Sequence, residues 1–193
     1  MRFKEEAIEG VFSVESDPHA DERGGFMRAF CAREFGEQGL PGVFVQASVS
    51  TNPLRGTIRG LHFQWPPSRE GKLVRCLTGA IYDVVVDLRP SSATFLEHYA
   101  TELSERNCRA LYIPEGCAHG FQVQEAGARV LYQMTDVYEP SLAAGFRYDD
   151  PAFGVRWPEA PTAISERDLQ APSFDPARYR AELERRAAVA SPI

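Results

Sequence analysis

The sequence of 193 residues lacks the features that would place the protein in a membrane or on nucleic acid. No apolar run approaches the ~18 to 20 residues that a membrane-spanning helix needs, and the opening MRFKEEAIEGVF is too charged for a secretory signal. A net charge of −6 argues against a broad nucleic-acid-binding surface, which normally shows as a basic patch or stripe. With 44% hydrophobic and 25% charged residues, the chain is expected to be a soluble, cytoplasmic globular protein with no membrane or nucleic-acid partner.

Cysteine and histidine are both scarce. The four cysteines form no C-x-x-C pair and no zinc spacing, so they are expected to be reduced, small apolar residues: Cys31, Cys76, Cys108 and Cys117. Metal-binding β-barrels usually bring closely spaced histidines and a carboxylate together. His62 belongs to no H-x-H pair and His119 has no histidine near it in sequence, so no metal site is predicted.

Short β-strand signals separated by turn residues dominate the middle of the chain. In residues 72–88, alternation after the central glycine predicts two faces, one of which carries Asp83 and Asp87. A one-residue register slip is expected to bury these two aspartates. Further β signals occur in FLEHYATEL, RALYIP, HGFQVQ and ARVLYQMTDVY, and helices are predicted only for a short polar segment, 32–39, and a surface segment, 175–190.

Many short strands with glycine and proline turns are typical of an antiparallel sandwich or barrel. A jelly roll is the all-β fold expected for this length. The predicted organisation is a single jelly-roll domain over residues 1–193, with an N-terminal arm (about 1–50) and a C-terminal helical tail (about 160–193). The arms are expected to pair subunits.

The segment RGLHFQ, residues 59–64, places the ionisable His62 inside an apolar strand, three residues from Arg59. Two interpretations are open: a hydrogen-bonded core histidine, or a base acting on an anionic substrate. Arg59 lies beside Gly60, and Arg23, in DERGGF, lies beside Gly24. A guanidinium offers a forked, charged set of donors that can bind a diphosphate. Ion pairing at the surface is the alternative for each arginine. Strand alternation also directs His119 and Tyr132 to faces that a closed β-fold would turn inward, where they could be either core residues or ligand contacts.

The motifs RGTIRGLHFQ, EGKLVRCLTGAIYDVVVDLR, LYIPEGCAHGFQV, LYQMTDVY, FRYDDPAFGVRWP and ISERD resemble, in the same order, those of the dTDP-4-dehydrorhamnose 3,5-epimerases of the cupin superfamily. DERGGF resembles the family's D-x-R-G-x-F. The resemblance runs from about residue 20 to about residue 170. It implies a jelly-roll homodimer without metal or organic cofactor that epimerises a nucleotide-diphospho-4-keto-6-deoxyhexose at C3 and C5.

The resemblance also implies roles for individual residues. His62 resembles the general base, Asp168 the carboxylate that orients it, Tyr132 the acid on the opposite face of the sugar, and Lys72 the residue that stabilises the enolate. Arg59 and Arg23 resemble diphosphate contacts, with Arg23 reaching across the dimer. The other substrate-binding positions it implies are Phe26, Arg28, Gln46, Ser48, His119, Tyr138 and Arg167.

The chain departs from the family pattern at three positions near the implied substrate. Arg28 stands where glutamate is common, Ser48 where asparagine is usual, and Ala143 where a glutamate is often found. The expected acid–base set is intact, so epimerisation is expected to be retained while the nucleotide or sugar is in doubt. The alternatives are epimerisation at C3 or C5 only, a CDP- or GDP-linked sugar, or a non-catalytic cupin that binds a sugar nucleotide.

Overall fold

The computed structural model describes residues 1–190, which form mainly antiparallel strands and three helices. The strands are β1 (Arg2–Glu5), β2 (Phe12–Glu15), β3 (His19–Asp21), β4 (Gly24–Phe26), β5 (Gln46–Asn52), β6 (Ile58–Gln64), β7 (Lys72–Thr78), β8 (Ala80–Asp87), β9 (His98–Ser104), β10 (Ala110–Ile113), β11 (Cys117–Val123), β12 (Ala128–Met134) and β13 (Ala143–Gly145). The helices are α1 (Ala32–Glu37), α2 (Glu166–Leu169) and α3 (Pro176–Ala190). The last three residues of the predicted C-terminal tail lie outside the described part.

Two sheets face each other and confirm the predicted jelly roll. A six-stranded sheet has the order β1-β2-β10-β7-β12-β5, and a five-stranded sheet has the order β13-β6-β11-β8-β9. Strands that are far apart in sequence pair in both sheets, as expected when antiparallel strands cross between the layers of a sandwich. The hairpin β3–β4 forms a separate two-stranded sheet.

The main hydrophobic core lies between the two sheets. Val74 and Val130 from the six-stranded sheet pack with Ile81, Val85 and Phe121 from the five-stranded sheet, all of them 0% or 1% exposed. Burying a side chain of this size stabilises the fold by about 1.5 to 3 kcal/mol each. The rigid sandwich thereby holds the strands that carry the implied site residues.

The C-terminal segment covers the outer face of the five-stranded sheet. Helix α3 agrees with the predicted helix, and the Asp175 carboxylate caps it by accepting hydrogen bonds from the backbone N–H groups of Ala177 and Arg178 at 2.9 and 3.0 Å. Its Tyr179 is only 5% exposed and stacks near Trp65, with ring centroids 5.0 Å apart. One face of this surface helix is therefore part of a second core.

The expectation that Asp83 and Asp87 face away from the core is wrong. Both carboxylates are fully buried, because α3 and the loops before it cover one face of β8 while the six-stranded sheet covers the other. Asp83 bonds His119, and Asp87 accepts hydrogen bonds from Arg89 at 2.8 and 2.9 Å. Each buried charge has a partner, which the sequence alternation alone does not reveal.

The N-terminal segment expected to form an arm is only partly detached. β1 and β2 pair in the six-stranded sheet, whereas β3–β4 projects as a fully exposed hairpin. The predicted helix at 32–39 is observed as α1, but it is not wholly polar, because Phe35 is 0% exposed. Within residues 1–190, no helix has the length and apolar character needed to cross a membrane.

Candidate active site

Strand β6 places His62 beside Asp168, which is 106 residues away in sequence. Nε2 of His62 lies 2.7 Å from Oδ1 of Asp168, and the other carboxylate oxygen accepts a hydrogen bond of 3.3 Å from the N–H of Gly60. Asp168 is held by α2, where Ser165 caps the helix by accepting a hydrogen bond from the Asp168 N–H. An ionised carboxylate only accepts hydrogen bonds, so it assigns the proton to Nε2 and leaves Nδ1 of His62 with its lone pair.

The electrostatics of this pair favour an ionised Asp168. Burial acts to raise the pKa of its carboxyl, but the hydrogen bond and charge of His62, together with the Gly60 N–H and Ser165, outweigh it and hold the pKa below its ordinary value. Asp168 is 5% exposed, while the His62 side chain is 45% exposed. The ring is thus fixed from behind and open in front, as a general base must be.

The neighbouring strand β13 lies unusually close to His62. Gly145 pairs with His62 in register, and a Cβ at Gly145 would come within 2.5 Å of the Leu61 carbonyl oxygen and 3.3 Å of Cδ2 of His62. A side chain at this position would displace the ring or the strand. The glycine is therefore a packing requirement of the His62 position.

A cavity of about 200 Å³ lies in front of His62. Its wall combines side chains from both sheets and from the adjoining loops: Ser48, His62, Glu70, Lys72, Tyr132, Tyr138, Ala143 and Arg167 are among them. A second, more open cavity of about 520 Å³ shares His62, Ala143 and Arg167 with the first. The small Ala143 side chain belongs to the boundary between the two.

Tyr132 and Lys72 reach the cavity from the six-stranded sheet, opposite His62. Tyr132 pairs with Val74 across to β7, and Lys72 begins that strand. Burial raises the pKa of the Tyr132 phenol well above its ordinary value, so the phenol keeps its proton near neutral pH and can act as an acid. Nζ of Lys72 lies 2.5 Å from a carboxylate oxygen of Glu70, a partner that the sequence interpretation did not include.

His119 lies behind Tyr132 rather than on the cavity wall. Its ring is edge-on to Tyr132, with centroids 6.0 Å apart, and its Nε2 lies 2.8 Å from Oδ1 of Asp83. His119 is 4% exposed and Asp83 is 0% exposed, and burial raises the pKa of the Asp83 carboxyl. In this geometry His119 contacts the back of the tyrosine and is a buried, hydrogen-bonded histidine.

Arg59 is positioned by a buried amide that sequence reasoning missed. Its Nε donates to Oδ1 of Asn52 at 2.8 Å, and Nδ2 of Asn52 donates to the Ser50 hydroxyl and the Ala128 carbonyl, both at 3.1 Å. Asn52 is 0% exposed, while Arg59 is exposed. The amide therefore fixes one edge of the guanidinium and leaves the other nitrogens open to an anion. Arg55, by contrast, is engaged with Glu159 at 3.0 Å.

Gln46 and Tyr138 are brought together at the cavity entrance. The side-chain oxygen of Gln46 accepts a hydrogen bond of 2.8 Å from the Tyr138 N–H, so Gln46 holds the loop that presents the tyrosine. The Tyr138 residue is 45% exposed. Ser48 and Arg167, also predicted from the resemblance, line the same cavity.

Three predicted substrate-binding residues near the N-terminus do not line this cavity within one chain. Arg23 and Phe26 lie on the exposed β3–β4 hairpin and its edge, where Arg23 pairs with Asp21 at 2.5 Å and Phe26 is 78% exposed. Arg28 forms an ion pair of 2.5 Å with Glu34.

Comparisons with known proteins identify relatives over most of the chain. The model of the dTDP-4-dehydrorhamnose 3,5-epimerase family matches residues 5–176. A dTDP-4-dehydrorhamnose 3,5-epimerase of Methanothermobacter thermautotrophicus is 43% identical over 82% of this chain and 84% of its own. A dTDP-4-dehydrorhamnose 3-epimerase of Streptomyces niveus is 36% identical over 89% of this chain and 83% of its own. A 3,5-epimerase of Legionella pneumophila, solved in complex with dTDP-4-keto-L-rhamnose, is 35% identical and superposes with a TM-score of 0.86 over 92% of this chain and 96% of its own.

Proposed function

Because this chain belongs to the dTDP-4-dehydrorhamnose 3,5-epimerase family of cupin-fold isomerases, we propose that it inverts C3 and C5 of a nucleotide-diphospho-4-keto-6-deoxyhexose. The simplest substrate is dTDP-4-dehydro-6-deoxy-D-glucose, which would become dTDP-4-dehydro-L-rhamnose. The observation that carries the proposal is the His62–Asp168 pair, 2.7 Å apart, on a cavity that Lys72 and Tyr132 enter from the opposite sheet.

The proposed reaction uses these residues in a sequence of proton transfers. Nδ1 of His62 takes the proton from the carbon next to the C4 ketone, and the bonding electrons move onto the ketone oxygen to form an enolate. Asp168 stabilises the resulting imidazolium, and Lys72 donates a hydrogen bond to the enolate oxygen. Tyr132 then protonates the carbon from the other side, which inverts it. His62 then releases its proton to solvent and Tyr132 regains one from solvent, so both are ready for the second carbon.

The positions of the acid and the base support inversion rather than simple exchange. His62 projects from β6 in the five-stranded sheet and Tyr132 from β12 in the six-stranded sheet, so a sugar between them has one residue on each face. Each general acid or base is worth about 10²- to 10⁴-fold in rate. No cofactor is part of the proposed mechanism.

The proposed substrate contacts are made by arginine, tyrosine and polar side chains near the cavity. Arg59 would bind the diphosphate, together with Arg23 of a second copy. Tyr138 and Gln46, with Ser48 and Arg167, would contact the nucleotide or sugar. Arg59 supports this assignment because its guanidinium is oriented by a buried amide yet exposed to solvent.

A homodimer is part of the proposal. Within residues 1–190, the β3–β4 hairpin pairs with no other strand, and Phe26 on it is 78% exposed. Val49, on the edge strand β5, is 47% exposed. An unpaired hairpin with an exposed phenylalanine and an exposed sheet edge fit a second copy of the chain, in which Arg23, Phe26 and Arg28 would complete the partner's site. The four free cysteines fit the proposed cytoplasmic location.

Epimerisation of a single carbon is the second candidate. The Streptomyces niveus relative, a 3-epimerase, matches this chain over almost the same length as the 3,5-epimerases do. Ala143, where the family often has glutamate, lies on the cavity wall. The loss of that carboxylate changes the surroundings of the sugar and also keeps a CDP- or GDP-linked sugar among the candidates.

Proton NMR of dTDP-4-keto-6-deoxyglucose in D₂O with the purified protein tests the function. Deuterium at both C3 and C5 is expected, while deuterium at one carbon would establish the single-carbon epimerase. The variant His62→Ala should abolish exchange. A matched control is His98→Gln, because His98 begins the outer strand β9 and its Nδ1 lies 2.9 Å from the Phe153 carbonyl oxygen, away from the cavity.

The wild-type result decides between enzyme and binding module. If dTDP-, CDP- and GDP-linked 4-keto sugars all fail to exchange, the epimerase proposal is wrong and sugar-nucleotide binding remains. If exchange persists in His62→Ala, the base is a different residue.

A further inference from the structure

Glu70 and Lys72 form an ion pair on the wall of the reaction cavity. A carboxylate oxygen of Glu70 lies 2.5 Å from Nζ of Lys72, and the two side chains are only 7% and 12% exposed. Gly71 separates them, and in extended chain two residues with one between them point to the same side. The local backbone at the start of β7 therefore directs both side chains into one cavity.

Because both side chains are buried, the ion pair with Glu70 affects whether Lys72 stays protonated. Taking a lysine ammonium out of water costs several kcal/mol unless a fixed charge or good hydrogen bonds compensate it, and an uncompensated group gives up its proton instead. An ammonium has three N–H donors and no lone pair, whereas a neutral amine is a weaker donor with a lone pair. Only the ammonium form can stabilise an enolate oxygen by charge.

The other charged or titratable groups around Lys72 do not replace Glu70. Those that line the cavity are His62, Tyr132, Tyr138 and Arg167, and the buried Cys117 thiol on β11 also interacts electrostatically with Lys72. None of these is an acid ionised at neutral pH in the resting site. Burial raises the pKa of Tyr132 and raises that of Cys117 to about 12. Asp168 lies on the far side of His62, with its carboxylate bonded to that ring.

We propose that Glu70 is a positioning residue that keeps Lys72 protonated and directs it at the developing enolate oxygen. This inference rests on the proposed function for the role of the enolate, but not for the charge of Lys72. One of the three ammonium N–H groups is held by Glu70 and two remain for the substrate. The carboxylate also makes the resting pair neutral, so the cavity accepts a neutral ketone without an unpaired buried cation.

The composition of the chain offers a direct test. Lysine occurs only twice, as Lys4 and Lys72, so protein labelled with ¹³Cε-lysine gives two side-chain signals. Lys4 has a side chain that is 77% exposed and serves as an internal reference. In Glu70→Gln the amide oxygen can still accept a hydrogen bond from Nζ, but the negative charge is gone.

The Lys72 signal is expected to lose its ammonium shift at least about one pH unit lower in Glu70→Gln than in the wild-type protein. The Lys4 signal should titrate alike in both proteins. Glu125→Gln is the matched control, since it removes a carboxylate that pairs with Arg106 at 2.7 Å on the surface. If Lys72 titrates alike in wild type and Glu70→Gln, Glu70 does not hold its charge and the inference is overturned.

Kinetics provide the second readout. In Glu70→Gln, kcat should fall about 5- to 10-fold one pH unit above the Lys72 titration of the variant and much less at lower pH, always less than the ~10²- to 10³-fold that outright loss of an oxyanion donor costs. KM should stay within about 2-fold, and the alkaline limb of kcat should move to lower pH with the Lys72 titration. A uniform loss of kcat at every pH would mean that Glu70 acts only on structure.

The two proposals fail separately. An inactive wild-type enzyme would overturn the proposed function, while the NMR titration would still decide whether Glu70 holds the charge of Lys72. If Glu70→Gln does not fold, Glu70→Asp, which keeps the charge but shortens the reach, takes its place. A lowered kcat with an unchanged KM then supports the inference, and wild-type kinetics overturn it.

Discussion

Replacing Asp168 with asparagine should disable His62 through its tautomer rather than through its position. In the wild-type site, Oδ1 of Asp168 faces Nε2 of His62 at 2.7 Å and Oδ2 accepts from the Gly60 N–H at 3.3 Å. Asparagine offers one oxygen and one NH₂. If its oxygen faces Gly60, its NH₂ faces His62, and Nε2 must then become the acceptor. The proton moves to Nδ1, and the lone pair that the base needs is lost.

The opposite orientation of the asparagine is the costlier one. It would direct the NH₂ at the Gly60 N–H, which places two donors together in a buried site. Leaving such a donor unsatisfied costs about 1 to 3 kcal/mol, so the inactive tautomer should outweigh the active one by about 5- to 150-fold. Asparagine also cannot stabilise the imidazolium by charge. Together the two effects should lower kcat by about 10²- to 10⁴-fold, the usual worth of a general base.

Deuterium exchange measured by NMR, with substrate affinity measured by calorimetry, tests this reasoning. Exchange at both carbons should fall in Asp168→Asn while the dissociation constant changes by less than about 3-fold, because Asp168 bonds protein groups rather than the cavity. Asp149→Asn is the matched control, since it alters an exposed carboxylate that pairs with Arg147 at 2.8 Å. An exchange rate near that of wild type would refute the tautomer argument. A large loss of affinity would instead make Asp168 a substrate ligand.

Three further substitutions test separate parts of the structure. Tyr132→Phe should slow net inversion by about 10²-fold or more while sparing exchange at one carbon by NMR; equal loss of both would argue against a role as acid only. Asn52→Ala should raise KM about 5-fold with little change in kcat, because Arg59 loses one charged hydrogen bond at an exposed site; an unchanged KM in steady-state assays would contradict this. Asp87→Asn should lower the free energy of unfolding by about 2 to 3 kcal/mol at pH 7 by leaving Arg89 without its partner. Burial acts to raise the pKa of Asp87, but hydrogen bonds led by Arg89 hold it below its ordinary value. The stability that the ionised Asp87 contributes is therefore present above pH ~4 and lost as pH falls through the folded pKa. Urea titrations should show the difference in free energy of unfolding between wild type and variant shrinking near pH 3. A difference that stays constant with pH would refute the assignment.

The fold was largely predictable because local sequence patterns mark most of its strands. Alternation, glycine turns and β-branched residues mark β7, β8, β11 and β12 within four residues of their observed bounds. The burial of Asp83 and Asp87 was not predictable in this way. Their partners and the segments that cover β8 come from elsewhere in the chain, and alternation describes two faces without saying that both are covered.

The residues of the candidate site were predictable only where they belong to a motif that resembles the family's. His62 and Asp168 are 106 residues apart, so no spacing rule links them, and the family resemblance alone brought them together. Asn52 carries no local signal, because its link to Arg59 depends on how two strands pack. Glu70 did have a local signal, since an acid that lies two residues before Lys72 is close enough in sequence for the two side chains to pair.

The two ion pairs of the cavity together suggest how a β-sandwich can host an enolate. Proton transfer to His62 creates a cation and an anion a short distance apart, and in a poorly solvated cavity both need partners already in place. The imidazolium forms against Asp168 on the five-stranded sheet, and the enolate is proposed to form against Lys72 on the six-stranded sheet, where Glu70 holds the ammonium at 2.5 Å. Because each carboxylate is fixed by the fold before substrate arrives, little reorganisation is required during the reaction. The lower barrier would then come from the rigidity of the two sheets as much as from the acid and the base.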